Sequence, residues 1–419
     1  MSAPRPGAAP PPRSWRQALA RIFCVVGPGI MVMLADTDAG SVITAAQSGA
    51  QWGYRLVLPQ IVLVPVLYLV QEVTVRLGIV TRQGHGELIR EHFGPGWAAL
   101  SVGTLFLSSV GALVTEFSGI AGVGALFGVP AWLTVSVATV LLILLGVTGS
   151  YRRIERIGIA VGMLELFFIP AALMSHPDPA QILRGLASFP LGHRDYMFLL
   201  AANVGAVVMP WMIFYQQGAV VDKRLAVPSV RLARWDVLAG AVLTQVVMIA
   251  VVMAVAGTIG QGASSRPLDS VQQISRALTP FIGPLGGKVV FGLGMLGASF
   301  VAALVVSIAG AYGIGEALGF NHSLNSRWRE ARTFYSVYTL AHVGGAAVVI
   351  LSVAELVKID IDVEVMNAML LPIVLGFLLV LESRALPAPW RMRGGYRTTV
   401  WLLSGIVMAF GVYTAITAL

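Results

Sequence analysis

Long apolar runs, separated by short polar and arginine-bearing stretches, fill the chain from residue 22 onward. A helix that crosses a bilayer needs about 20 mostly apolar residues. Eleven stretches meet that pattern: residues 22–51, 56–79, 97–127, 131–149, 156–174, 195–217, 233–258, 283–318, 333–353, 363–382 and 398–418. Two are interrupted. The first carries Asp36 and Asp38 in LADTDAGSVI, and the sixth carries Met209-Pro210 in NVGAVVMPWM. Irregular backbone at membrane depth is tolerated where it lines a cavity or is buried in protein. Paired interruptions at corresponding positions point to inverted repeats with a shared midplane site. The pattern therefore predicts an all-α membrane protein. Its ten-helix core covers residues 18–382, as two five-helix repeats at about 18–175 and 194–382. An eleventh helix follows within 383–419.

Charge refines this picture. With the N-terminus in the cytoplasm, 21 of the 28 basic residues fall on cytoplasmic segments, as the positive-inside rule requires. The other seven are Arg55, Arg184, Arg194, Arg266, Arg276, Lys288 and Lys358. The net charge of +8 is thus topological, and nucleic acid is not an expected partner. Only 11% of residues are charged, against roughly 25% in soluble domains. A large soluble domain has no sequence left to occupy. A single cysteine, Cys24, excludes a disulfide framework or a cysteine metal cluster. Residues 1–17, rich in Pro and Arg, read as a disordered cytoplasmic tail rather than a signal peptide.

The two breaks carry the chemistry. An intramembrane aspartate is a functional group by default, and Asp38 is a hard oxygen ligand. Ser41 is a weaker neutral one. Gly40 supplies backbone freedom at the first break. Pro210 removes a helical hydrogen bond at the second. Carbonyls near Ala35 and Ala206 are then free to act as donors. Met209 offers a thioether, a soft ligand suited to transition metals. Carboxylate, carbonyls and thioether together make a dehydrating site for a divalent cation. Asp36, two residues from Asp38, would point elsewhere on a helix and is read as tuning the site's charge.

These residues resemble the natural resistance-associated macrophage protein (NRAMP) family of divalent metal transporters, along nearly the whole chain. GPGIMVMLADTDAGSVITAAQSGAQWGY is similar to that family's first helix, whose signature is Asp-Pro-Gly-Asn. VQEVTVRLGIVTRQG, SYRRIERIG, GAVVMPWMIF and ALTPFIGPLGGKVVFGLGMLGASF resemble, in order, the end of the second helix, the loop between the fourth and fifth, the sixth helix and the eighth. The resemblance implies a LeuT-like fold that moves divalent metal by alternating access, usually inward and with protons. The departures are specific. The family Asn falls on Ser41, the Pro on Ala39, the His of the sixth-helix Met-Pro-His on Trp211, and a third-helix acid on Leu113. Glu116 is retained. A tenth-helix Gln aligns with Glu364 or Asn367.

The expected protein is therefore a secondary transporter of divalent metal ions in the cell membrane, with no enzymatic activity and no cofactor beyond its metal substrate. Met209 favours Mn2+ or Fe2+. The extra carboxylates Asp36 and Glu364 favour Mg2+, the nearest alternative. Proton coupling is expected to be weak or absent, because Leu113 and Trp211 replace titratable groups. Glu116 and His342 are the remaining proton-pathway candidates, with Glu165 behind them. A sodium-coupled amino-acid carrier on the same fold is the alternative of another class. Glu72 and Glu316 are expected in salt bridges with Arg76 and the arginines at 327–332. HGELIREHF at 85–93 reads as a short interfacial helix, with no metal site at His85 or His92. The acids Glu355, Asp360, Asp362 and Glu364 read most simply as a solvated outer loop.

Overall fold

The computed structural model describes residues 25–259, 267–278, 283–352 and 356–418. The N-terminal tail, Cys24, Arg266 and Glu355 lie outside the described residues. Within them every regular element is a helix, α or 3-10, joined by short loops. The first span is two helices, α1 (Pro28–Asp36) and α2 (Ala39–Trp52). After a 3-10 turn, α3 (Val57–Thr81) runs on from α2. The short α4 (His85–Phe93) leads into α5 (Pro95–Leu126) and α6 (Ala131–Val147). The fifth span is α7 (Tyr151–Gly162), a 3-10 segment at Met163–Phe167 and α8 (Phe168–Met174). A connecting helix, α9 (Pro179–Leu186), precedes the second broken span, α10 (Arg194–Val207) and α11 (Pro210–Asp222). Then come α12 (Val230–Thr258), α13 (Val271–Leu278), α14 (Pro284–Leu318), α15 (Arg332–Leu351), α16 (Leu356–Ala385) and α17 (Gly394–Ala418). Among the described residues nine helical stretches are long and apolar enough to cross a membrane, and α6 is a shorter apolar helix.

The burial pattern separates core from lipid-facing surface. α1, α2, α11 and the second half of α10 are buried almost all round, as helices at the centre of a bundle must be. α6 and α17 instead expose rows of large apolar side chains, Leu141, Leu144, Leu402 and Ile416 among them. α14 runs through the middle, against α5 on one side and α11 and α15 on others.

One end of the bundle is tied by charge. Asp236 of α12 accepts the Gly27 N–H at 3.1 Å and the Gly29 N–H at 2.7 Å, which caps the foot of α1 where orphan N–H groups need acceptors. Lys223 reaches the Val26 carbonyl at 2.9 Å and Glu155 at 2.8 Å. Glu72 pairs with Arg76 at 3.2 Å and Arg234 at 2.6 Å.

Three expectations are corrected here. Glu316 pairs with none of the arginines at 327–332; it accepts the Gly86 N–H at 2.8 Å. The short helix expected at 85–93 is α4, and His85 lies on its buried face, with Nδ1 3.1 Å from Gln217 Oε1 and its ring edge-on to Phe214. The 356–364 stretch is no solvated loop. α16 begins at Leu356, ahead of the expected 363, and Asp360 and Glu364 are fully buried while Asp362 is exposed. Gly40 does not supply the unwinding. The backbone leaves helical geometry at Thr37 and Asp38, and Gly40 already lies within α2.

Burial pushes the His85 imidazole down to about 4. The unfolded chain therefore binds more protons than the folded one between about pH 6.5 and 4. Stability contributed by neutral His85 is present above that window and is lost as pH falls through it. Melting curves should show a smaller drop between pH 7 and pH 5 for His85→Gln than for the wild type. Equal drops would mean that His85 titrates normally.

Candidate metal centre

Both breaks free a backbone carbonyl, by different means. In a continuous helix the Ala39 N–H would bond the Ala35 carbonyl. Here it goes to Glu116 Oε2 of α5 at 3.2 Å. The Ala206 carbonyl would accept from residue 210, which is proline and has no N–H. Asp38 caps α2, its Oδ1 accepting the Ser41 N–H at 2.7 Å. The Ser41 hydroxyl donates to the Ala206 carbonyl at 3.0 Å. That hydrogen bond joins the two breaks directly. Val208 and Met209 are extended between α10 and α11.

A third element closes the site. Glu364 of α16 places Oε1 against Gly40, 2.3 Å from where a Cβ would stand. Gly205 of α10 allows the same close approach to the α16 backbone at Glu364. Asn367, one turn on, donates to Glu364 Oε2 at 3.1 Å and accepts from Ser108 at 2.7 Å. It positions Glu364 from behind rather than facing the breaks. The Trp211 indole N–H points at Met209 Sδ, 3.2 Å away. Asp36 is buried beside the Thr37–Thr244 hydroxyl pair.

The electrostatics are one-sided. Asp36, Asp38, Glu116, Glu165, Asp360 and Glu364 are all at most 1% exposed, and none takes part in an ion pair among the described residues. Asp36 Oδ1, Asp38 Oδ2 and Glu364 Oε1 have no hydrogen-bond donor. Buried carboxylates without partners are strongly disfavoured, so the arrangement demands positive charge. Among the described residues no three His, Cys, Asp or Glu side chains stand at ligating distance of one another. The oxygens at the breaks are mixed instead: the unpartnered ones of Asp38 and Glu364, the Ala206 carbonyl and the Ser41 hydroxyl, while the Met209 sulfur is met by the Trp211 N–H.

Of the residues singled out from sequence, Asp38, Ser41, Ala206, Ala35, Glu364, Gly40 and Glu116 come together here. His342 does not join them. Its nitrogens lie 3.1 Å from the Ser307 hydroxyl and 2.9 Å from the Tyr338 carbonyl, and its named contacts include no carboxyl group. Asp360 was missed as a buried residue. It receives the Ser118 hydroxyl, 2.8 Å from each of its carboxylate oxygens. The 360, 364, 367 spacing, one face of a helix, was the available signal.

Comparison with known proteins bears on the family and the fold. A family model described as "Natural resistance-associated macrophage protein-like" matches residues 29–417. The chain is 26% identical to the divalent metal cation transporter MntH 1 of Pseudomonas aeruginosa, over 70% of this chain and 69% of that one. It is 24% identical to the divalent metal cation transporter MntH of Burkholderia ambifaria, over 92% and 88%. Its fold matches a manganese transporter of Eremococcus coleocola with a TM-score of 0.74, at 18% identity, over 98% of this chain and 89% of that one. It also matches MhsT, solved with L-phenylalanine, with a TM-score of 0.63 at 13% identity, covering 99% and 100%.

Proposed function

This chain belongs to the natural resistance-associated macrophage protein family, and from that premise we propose that it carries divalent metal cations across the cell membrane. The ion is held between the two helix breaks by Asp38, the Ala35 and Ala206 carbonyls and Ser41. The observation that supports this is the Ser41–Ala206 hydrogen bond, which joins the two breaks beside the buried, unpartnered Asp38 Oδ2. Transport proceeds by alternating access, the two repeats rocking about that point, with the N-terminus cytoplasmic. Proton coupling is weak. The positions at Trp211 and Leu113 hold no titratable group, and both are buried in apolar contact.

Met209 makes a transition metal, Mn2+ or Fe2+, the first reading. A specific contact favours Mg2+ as the second. The Trp211 N–H occupies a lone pair of the Met209 sulfur, while Glu364 adds a hard oxygen beside Gly40. Two substitutions separate these readings by opposite signs. Trp211→Phe releases the sulfur and should raise Mn2+ uptake relative to Mg2+ by about tenfold, the change expected from one outer contact on a metal ligand. Met209→Ala should lower the same ratio. Unchanged ratios in both variants would remove the sulfur from the ligand set.

The function is tested in proteoliposomes with a panel of divalent ions, a metal-sensitive dye and a pH dye. Metal should enter with little accompanying acidification. Strict co-movement of protons would overturn the coupling assignment. Sodium-driven amino-acid uptake without metal flux would replace the function with that of a sodium-coupled carrier.

A further inference from the structure

One polar cavity has no part in the transport site. It encloses about 240 Å3 at the far end of α11, walled by Asp222, Tyr312, Glu316 and His322. α11 separates it from Met209 by about 20 Å. Glu316 is fully buried, and its Oε1 has no hydrogen-bond partner while Oε2 accepts the Gly86 N–H. A buried carboxylate oxygen beside a cavity is costly until a positive group meets it. His322 enters from the loop after α14. Its Nδ1 lies 2.7 Å from the Phe320 carbonyl, which leaves the Nε2 lone pair outward, 3.8 Å from Glu87 Oε1. Metal-binding imidazoles commonly hold their other nitrogen against a carbonyl in this way. Asp222 already accepts the Tyr312 hydroxyl and the Leu324 N–H, both at 2.7 Å, and so contributes charge rather than a free ligand atom.

We propose that this cavity is a second binding site, for a divalent transition-metal cation, with Glu316 Oε1 and His322 Nε2 from its wall as ligands, joined by Glu87 Oε1, which stands outside the wall against His322. An imidazole with two carboxylates suits Mn2+, Fe2+ or Zn2+ and discriminates against Mg2+. Among the described residues no three such side chains already stand at ligating distance. Binding therefore draws His322 and Glu87, whose side chains are 23% and 27% exposed, inward onto Glu316. The site is independent of which ion the helix breaks carry, and it differs from them in supplying nitrogen.

Mn2+ binding to the full chain in detergent tests this. Asp38→Ala, which removes the anchor between the breaks, should still bind one Mn2+ per chain, with nitrogen hyperfine coupling in pulsed paramagnetic resonance. His322→Ala in that background should abolish the coupling. It should also weaken the ion by about tenfold or more, as should Glu316→Gln. Glutamine keeps an acceptor for the Gly86 N–H, and gel filtration checks that each variant folds. If Asp38→Ala binds no Mn2+, or binds it without nitrogen coupling, the second site is wrong and the transport site is untouched. If the coupled ion survives His322→Ala, the ligand assignment falls. If wild type and Asp38→Ala bind equally and both show His322-dependent coupling, the second site stands and the transport-site reading fails.

Discussion

Replacing Asp38 with asparagine should reduce divalent-metal transport at least about 100-fold, or about 2.7 kcal/mol of ion stabilisation, without lowering the melting temperature. The two outcomes separate because Asp38 has two tasks. Its Oδ1 caps α2 through the Ser41 N–H, a role in which asparagine serves equally well. Its Oδ2 is buried with no donor, among Asp36, Glu116 and Glu364. Removing one charge from such a crowd relieves repulsion and removes the central attraction for a cation. Asp38→Ala should lose transport too, and should also lose about 1 kcal/mol of cap energy. Flux in proteoliposomes and thermal melts of the two variants decide the matter. Wild-type flux in Asp38→Asn would leave the site without its anchor.

Gly40→Ala should cut transport to a tenth or less and lower the melting temperature. The new methyl would stand 2.3 Å from Glu364 Oε1 and 3.3 Å from its Cδ. Glu364 cannot simply swing aside, since Asn367 holds its other oxygen and Ser108 holds Asn367. Overpacking of this kind costs about 1–3 kcal/mol. Glu364→Gln should not relieve it, being the same size. Glu364→Ala should restore the melting temperature of Gly40→Ala, and a double-mutant cycle measures the coupling. Additive effects would show that the glycine is needed for something other than Glu364.

These two residues also mark how far the sequence could be read. The breaks were legible because their causes are local. A proline lacks an N–H wherever it falls, and an aspartate inside an apolar run stands out against its neighbours. Their pairing then pointed Asp38, Ser41 and two alanine carbonyls at one shared site. Gly40 was assigned the right importance for the wrong reason. Backbone freedom is a property of glycine alone, whereas the space it leaves for Glu364 depends on a helix more than 300 residues away. Asp360 failed for a related reason. In KIDIDVEV, alternating acids look like a solvated edge until the helix start is known. Once α16 begins at Leu356, Asp360 and Glu364 fall one turn apart on its buried face. The contact between Trp211 and Met209 had no one-dimensional signal beyond the two residues' proximity, since either side chain could have faced elsewhere.

The foot of α1 carries a kinetic consequence. Asp236 grips two successive backbone donors there, and Lys223 ties the preceding carbonyl to Glu155. Moving α1 at this end parts all of these bonds in one step. Such a step has a large activation enthalpy, because several charge-assisted bonds must break before water replaces them. Opening of this end should therefore be the slow stage of the cycle, and turnover should rise steeply with temperature while the affinity for the ion changes little. Throughput would then be set by a hinge that never touches the cargo.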